Sequence, residues 1–179
     1  MTVVQRIRVP AGLAFGVLLF VFAQPRHDLF WLGMPLAALG AGIRLWASGH
    51  LDKWRGVART GPYRLTRNPL YLGSFLAGLG FTVAAAELWL LLVYLLLFPG
   101  VYWPVILREE REMLSHYGDD YAGYAAGVPR FCPVRFPGPI AAGADAIAGF
   151  QWKLFLRNRE YRFLISVVLA AIFFFWKMG

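Results

Sequence analysis

The sequence predicts an all-α integral membrane protein, a helical bundle of about five transmembrane helices. Hydrophobic residues make up 59% of the 179 residues and charged residues only 16%, which is too apolar for an ordinary soluble domain. Five apolar runs lie along the chain. Because a helix needs roughly 20 apolar residues to cross the hydrocarbon core of a bilayer, the chain has room for these spans and little else.

The apolar runs are, in order, residues 9–23, 29–47, 70–86, 88–107 and 161–176. The first is not read as a cleaved signal peptide, because the polar residues 24–28 that follow it lack a small-residue cleavage site. The third and fourth runs meet at a tight connection around Glu87, which predicts an antiparallel hairpin. Small residues recur four apart in the second and third runs and predict closely packed helices.

The charges define an orientation and three parts of the chain. If successive apolar runs cross the membrane in opposite directions, fifteen of the eighteen basic residues lie on the same side of it. Two of them precede the first run, five follow the second and eight follow the fourth. The positive-inside rule makes that side cytoplasmic, and the composition suggests a bacterial inner membrane. Arg44, near the end of the second run, is expected to snorkel to the same surface. We divide the chain into an N-terminal two-helix hairpin (1–47), a middle subdomain with a loop, a two-span hairpin and a Glu-rich helix (48–137), and an amphipathic segment with a last span (138–179).

The net charge of +8 would suggest nucleic acid in a soluble protein, but here its placement favours lipid headgroups, so we expect no nucleic-acid partner. The partner we expect at this point is the lipid bilayer. The single cysteine, Cys132, excludes an intramolecular disulfide. The three histidines are far apart in the sequence, so we expect no metal site.

One unusual segment, residues 55–73, contains a Gly-Pro turn and a basic stretch that leads into the third run. Asn68 before Pro69 fits a helix N-cap followed by proline at the first helical position. The free N–H groups of a helix start, with Arg64 and Arg67 nearby, suit a carboxylate or phosphate. Alternatively, this is an interfacial helix start whose basic residues contact headgroups.

A second segment, residues 108–131, holds five of the ten acidic residues on the side where basic ones are expected. For Glu112, Asp119 and Asp120 we expect a solvated helix with internal ion pairs. Glu109 and Glu110 lie where the fourth run meets the interface, and an acid there is costly unless it faces a polar cavity or a partner.

The hairpin brings these two segments together and creates a site that suits a zwitterionic ligand. S-adenosylmethionine is such a ligand. Its carboxylate would bind the helix start, its ammonium and sulfonium a glutamate, and its adenine a tyrosine ring. Direct attack on its activated methyl group depends mainly on positioning and requires no metal.

These segments resemble the isoprenylcysteine carboxyl methyltransferase family and the related phospholipid methyltransferases. That pattern is Arg-His-Pro-x-Tyr-x-Gly, a Glu-rich helix and a Tyr-x-x-Tyr…Val-Pro segment. The matching residues, within about residues 45–137, are Gly61 to Arg64, Arg67 to Gly73, Glu109, Glu110, Tyr117 to Tyr121, Tyr124 and Val128 to Phe131.

The resemblance implies a membrane-embedded S-adenosylmethionine-dependent methyltransferase, with a cofactor pocket on the cytoplasmic side and an acceptor that enters from the bilayer. The implied catalytic residues are Arg67, Asn68 and Glu110. The implied cofactor contacts are Arg55, Gly56, Val57, Ala58, Tyr63, Asn68, Pro69, Leu70, Tyr71 and Glu109.

Two departures from the family pattern bear on the reaction. Asn68 replaces the family's histidine and so removes a titratable group. Val105 stands where the prenylcysteine enzymes place an arginine that holds the substrate carboxylate, so the acceptor is expected to be another lipid or lipid-like molecule. It would be methylated on a carboxylate oxygen or an amine nitrogen. An amine must lose a proton, and Glu110 is the candidate acceptor of that proton.

Two rival functions remain open. Membrane sterol and enone reductases carry a similar motif and use NADPH, but they have an asparagine after the proline and an acid after the glycine, where this chain has Leu70 and Ser74. The other alternative is a non-enzymatic membrane protein in which the motif residues are structural.

Overall fold

The computed structural model describes residues 3–52, 56–133 and 149–179, with side chains from residue 10 onward. Regular structure within these ranges is entirely helical. A short 3-10 helix, Gly61–Arg64, precedes α3. The α-helices are α1 (Val3–Phe22), α2 (His27–Ser48), α3 (Pro69–Ala84), α4 (Leu88–Gly127), α5 (Trp152–Arg157) and α6 (Tyr161–Met178).

The predicted membrane bundle is confirmed. Among the described helices, α2, α4 and α6 are long and apolar enough to span a membrane, whereas Pro10–Phe22 of α1 and the whole of α3 are shorter apolar helices. The five apolar runs therefore all form helices. The predicted tight connection is also present, because α3 ends at Ala84 and α4 begins at Leu88.

Contacts at the helix ends place the termini of α1, α3 and α6 at one end of the bundle. The Gln24 amide after α1 donates to the carbonyl of Ala85 after α3 at 2.8 Å. Lys177, near the end of α6, donates to the carbonyls of Phe20 and Val21 at 3.0 Å each. The segments 56–68 and 108–131 therefore lie at the opposite end, together with α5.

Close packing of α2 against α3 holds these two helices together through small residues. A Cβ added to Gly33 would overlap the backbone of Gly80 and Ala84, and one added to Gly40 would overlap the backbone of Ala77. The predicted role of the small residues in packing is confirmed. The absence of a Cβ lets the backbones approach, which supplies dispersion contacts where the hydrophobic effect cannot act.

Helix α4 continues beyond its apolar part and bends at Gly118, whose φ of 51° and ψ of −128° are not helical. A positive φ of this kind is favourable only for glycine. Beyond the bend, Tyr121, Tyr124 and Val128 form a small buried cluster that packs against Val57. The bend thus turns the end of α4 over the loop before α3.

The expectation that Arg44 snorkels to the surface is wrong. Its side chain is only 17% exposed and forms an ion pair with Glu160, the residue before α6, with a shortest N–O distance of 2.6 Å. Pairing with Glu160 is more favourable than extension of the Arg44 side chain towards the lipid headgroups, because the carboxylate neutralises the guanidinium charge inside the bundle. The described part of the C-terminal segment is therefore docked on α2.

We expect Gly40→Ala to reduce the stability of the protein by about 1–3 kcal/mol, because even a single methyl group overpacks the contact between α2 and α3. Thermal unfolding in detergent measures this effect. Gly42→Ala is the matched control on the same helix, because a Cβ at Gly42 has no heavy atom within 4 Å. Equal unfolding temperatures for the two variants would contradict this account of the interface.

Candidate functional site

The candidate site forms where the chain returns from α4 to the loop before α3. The Tyr124 hydroxyl donates to the carbonyl of Tyr63 at 2.7 Å. Further along, the Arg67 amide donates to the carbonyl of Pro129 at 2.9 Å, and the buried Thr66 hydroxyl donates to the carbonyl of Arg130 at 3.2 Å. These three bonds all have main-chain carbonyl acceptors and uncharged donors, so they fix the loop to the end of α4 independently of side-chain charge.

Glu110 lies at the centre of the site and is 9% exposed. Its Oε2 atom is 2.8 Å from Arg130 Nε and 3.2 Å from Arg67 Nη1. Its Oε1 atom accepts a hydrogen bond from Asn68 Nδ2 at 3.3 Å. The three predicted catalytic residues, Arg67, Asn68 and Glu110, are thus brought into one network, which we call the Glu110 network together with Arg130.

Helix α3 begins at Pro69 and Asn68 occupies the N-cap position, as the sequence predicts. The expected side-chain cap, however, is not formed. The Asn68 amide instead donates to Glu110 and, at 3.0 Å, to the carbonyl of Arg130. A charged acceptor binds an N–H donor more strongly than a neutral one, and here it orients the side chain across the site rather than along the helix.

The predicted cofactor contacts divide between two places. The Tyr71 hydroxyl donates to Glu109 Oε1 at 2.7 Å, which joins α3 to α4. Tyr63 and Pro69 are buried, and the carbonyl of Leu70 accepts a hydrogen bond from Arg44. In the loop, Gly56 has a positive φ of 112° and Val57 packs against the Tyr121 cluster, followed by the half-buried Ala58. Arg55 lies outside the described residues.

A cavity of about 550 Å³ lies beside the Glu110 network. Two of the predicted site residues, Arg67 and Glu110, line it. Its charged and aromatic wall is completed by Arg111, Tyr121 and Arg130, and its apolar wall consists of Leu107, Leu114, Ala122 and Ala125. Its volume lies within the range of small-molecule sites, and it is an open cleft rather than an enclosed cavity.

Sequence reasoning assigned no role to Arg130, although it is the second guanidinium on Glu110. Arg111 was likewise not predicted to line a cavity, whereas Tyr121 was among the tyrosines expected to form the walls of the site. The sequence does indicate that Glu110 has a basic partner, because an acid at its depth in the membrane needs one. Several arginines could serve, however, and the sequence does not show which of them lies near Glu110 in the fold.

The environment of the phenol groups is strongly desolvated. Burial raises the pKa of Tyr63, and the nearby Tyr124 raises it further. Its hydroxyl is therefore protonated throughout the physiological range and can act only as a neutral hydrogen-bonding group. His50, before the loop, contacts Thr60 at 3.0 Å, and burial lowers its pKa.

Two curated proteins are similar to this chain. The nickel-cobalt-cadmium resistance protein NccN of Alcaligenes xylosoxydans xylosoxydans is 31% identical over 104 residues, which are 57% of this chain and 47% of that protein. The cobalt-zinc-cadmium resistance protein CzcN of Cupriavidus metallidurans is 30% identical over 133 residues, which are 68% and 60% of the two chains. The chain thus spans about half to three fifths of these relatives' length. No solved structure matches.

The matching family pattern is that of phospholipid methyltransferase, over residues 29–120. This range covers α2, the motif at the start of α3 and α4 as far as the bend, and it includes Arg67, Asn68 and Glu110. It extends over more than half of the chain. The chain therefore belongs to the phospholipid methyltransferase family.

Proposed function

We propose that this chain is a membrane-embedded S-adenosylmethionine-dependent methyltransferase whose acceptor is a lipid or lipid-like molecule. We place its active site on the cytoplasmic side of a bacterial inner membrane. The observation that carries the proposal is the Glu110 network, which joins the start of α3 to α4 beside a cavity with one charged and one apolar wall. That combination suits a polar cofactor and an apolar acceptor at the same place.

The charges of the network fit the carboxylate of the cofactor. Arg67 and Arg130 share the single carboxylate of Glu110, and Arg111 also lines the cavity, so the lining carries two net positive charges. Arg67 Nε is buried and has no hydrogen-bond partner among the described residues. A buried donor without an acceptor is unfavourable, so an anionic group that binds here would gain both charge and a hydrogen bond.

For the ammonium group of the cofactor we propose Glu109, which precedes Glu110 on α4 and lies outside the residues that line the cavity. This carboxylate accepts from the Tyr71 hydroxyl, which fixes its position while leaving its charge available for an ammonium group. Tyr121, which is 6% exposed and lines the cavity, is the aromatic side chain that an adenine ring would contact there. When bound, S-adenosylmethionine supplies a methyl group activated by its sulfonium for direct transfer to a nucleophilic oxygen or nitrogen.

The apolar wall of the cavity suits the hydrocarbon part of the acceptor. Leu107 and Leu114 lie on the same helix as Glu110, so a lipid chain along them would bring its polar head towards the network. Val105, at the position of the carboxylate-binding arginine of the prenylcysteine enzymes, is buried and 2% exposed. This supports an acceptor other than a prenylated cysteine.

Glu110 holds the network and is also the candidate proton acceptor for an amine substrate. Its Oε2 atom is occupied by two arginines, whereas Oε1 has the weaker contact with Asn68 at 3.3 Å. We propose that a substrate amine would displace Asn68 from Oε1. The arginines would keep the carboxylate oriented during that exchange.

Radiolabelled S-adenosylmethionine is expected to bind the detergent-purified protein saturably, and unlabelled S-adenosylmethionine but not NADPH should displace it. Glu109→Gln should weaken binding about tenfold, because it removes the charge that faces the ammonium group. Glu112→Gln is the control, since Glu112 is exposed and pairs with Arg108 on the same helix. Displacement by NADPH would support a reductase, and binding of neither ligand a non-enzymatic protein.

We expect Glu110→Gln to reduce methyl transfer by about 100-fold, because the loss of the shared anion lets Arg67 and Arg130 move out of position. The measurement is transfer of radiolabelled methyl groups to total lipid vesicles as a function of pH. If Glu110 accepts a proton, the substitution should change the shape of the pH profile of activity. If Glu110 only orients the arginines, activity should fall by the same factor at every pH. Full activity of Glu110→Gln would exclude both roles.

The acceptor can be identified from the lipids of cells with and without the protein. We expect one lipid class to gain the mass of one methyl group in cells that contain the protein, as mass spectrometry would detect. Cells that express Asn68→Ala serve as the control, since that variant lacks the amide that contacts Glu110 and the Arg130 carbonyl. An unchanged lipidome would exclude an abundant lipid acceptor.

A further inference from the structure

A largely buried ion pair links the C-terminal segment to α2. Arg44 of α2 contacts Glu160 through two nitrogens, Nε at 3.0 Å and Nη2 at 2.6 and 2.8 Å. The two side chains are 17% and 13% exposed. A bidentate ion pair of this kind fixes the orientation of the guanidinium plane and also neutralises the charge of the arginine.

The remaining nitrogen of Arg44 reaches α3. Nη1 donates to the carbonyl of Leu70 at 3.2 Å and to the hydroxyl of Ser74. Ser74 in turn donates to the same Leu70 carbonyl at 2.9 Å. The guanidinium carbon lies over the ring of Phe163 in α6, 4.2 Å from its centre. Arg44 therefore bridges the first turn of α3 to the beginning of α6.

The neighbouring residues dock the same C-terminal segment on the end of α2. Asn158 donates to the carbonyls of Ser48 and Leu51 at 3.0 and 2.9 Å. Arg157 forms an ion pair with Asp52 at 2.5 Å. None of these three contacts involves α3. Among the described residues of this segment, Glu160 differs from Asn158 and Arg157 because it contacts Arg44 and, through it, the motif helix α3.

We propose that Glu160 is a positioning residue for cofactor binding, which acts through Arg44 to fix the first turn of α3. This inference rests on the proposed methyltransferase function. Leu70 lies between Pro69 and Tyr71, so the hydrogen bond to its carbonyl fixes the orientation of the turn that carries the predicted cofactor contacts. Glu160 lies outside the region that matches the family pattern, residues 29–120.

The electrostatics agree with this placement. After burial and Tyr124, the charge of Glu160 contributes to the raised pKa of Tyr63, and Arg44 acts in the opposite direction. Tyr63 is itself a predicted cofactor contact, so the ion pair lies within electrostatic reach of the site. A buried ion pair contributes little to net stability but fixes geometry, and loss of one partner leaves the other charge uncompensated.

The test compares three variants by equilibrium binding of radiolabelled S-adenosylmethionine, at a temperature well below every unfolding midpoint. Glu160→Gln should weaken binding about tenfold, since the guanidinium is no longer held against Leu70. Arg44→Lys should weaken it similarly although its charge is kept, because one ammonium group cannot contact Glu160, Leu70 and Ser74 together. Arg157→Gln should leave the dissociation constant within twofold, since its ion pair docks the same segment without reaching α3.

Unchanged binding by Glu160→Gln and Arg44→Lys, with binding by the unmodified protein, would overturn the proposal even if both variants unfold at lower temperature. An equal loss in Arg157→Gln would also overturn it, since general docking would then suffice. If Glu160→Gln does not fold, Ser74→Ala replaces it, and it should weaken binding severalfold or the proposal fails. Failure of the unmodified protein to bind S-adenosylmethionine would instead reject the proposed function on which the inference rests.

Discussion

The site depends on one carboxylate, that of Glu110, which two guanidinium groups and one amide contact at the same time. These partners come from the loop before α3 and from the chain beyond the bend of α4, so the carboxylate holds together three stretches that are distant in sequence. Loss of one partner in a buried ion pair costs roughly 3–5 kcal/mol. The 37% exposure of Arg130 puts this network below that range, because water screens part of the interaction. Its main effect is on geometry rather than on stability.

The first turn of α3 is held from two sides by the same kind of interaction. On one side, Asn68 contacts Glu110 of α4, and on the other side Arg44 of α2 contacts the carbonyl of Leu70. Tyr71 adds a third contact, to Glu109. A helix start has unsatisfied N–H groups and a partial positive charge, so its position decides where an anionic ligand group can bind. Both holding interactions use charged groups at the end of an apolar bundle, where the lower dielectric strengthens them.

The helices could be predicted from the sequence because a bilayer requires apolar runs of a definite length, and both the start of α3 at Pro69 and the connection at Glu87 carry local signals. The side-chain partners could not. Asn68 fits an N-cap by every local rule, yet its amide binds Glu110, 42 positions away. Arg44 looks like a snorkelling residue until Glu160, 116 positions away, is placed beside it. Such pairings depend on how the helices pack. The only hints were the positions of Arg44, a charge within an apolar run, and of Glu110, an acid just beyond one.

Gly73, the glycine of the motif, is required by the packing of α2 against α3 and also lies beside the residues that hold the start of α3. Gly73 lies in the second turn of α3, and a Cβ at this position would meet the carbonyl oxygen of Gly40 at 2.6 Å and Cγ of Arg44 at 2.7 Å. The contact explains the glycine without any ligand, because α2 and the stem of Arg44 occupy the space that a side chain would need. The same close approach brings the Arg44 guanidinium within reach of the Leu70 carbonyl. A larger residue would therefore separate α2 from α3 and remove the hydrogen bond that fixes the start of the motif helix.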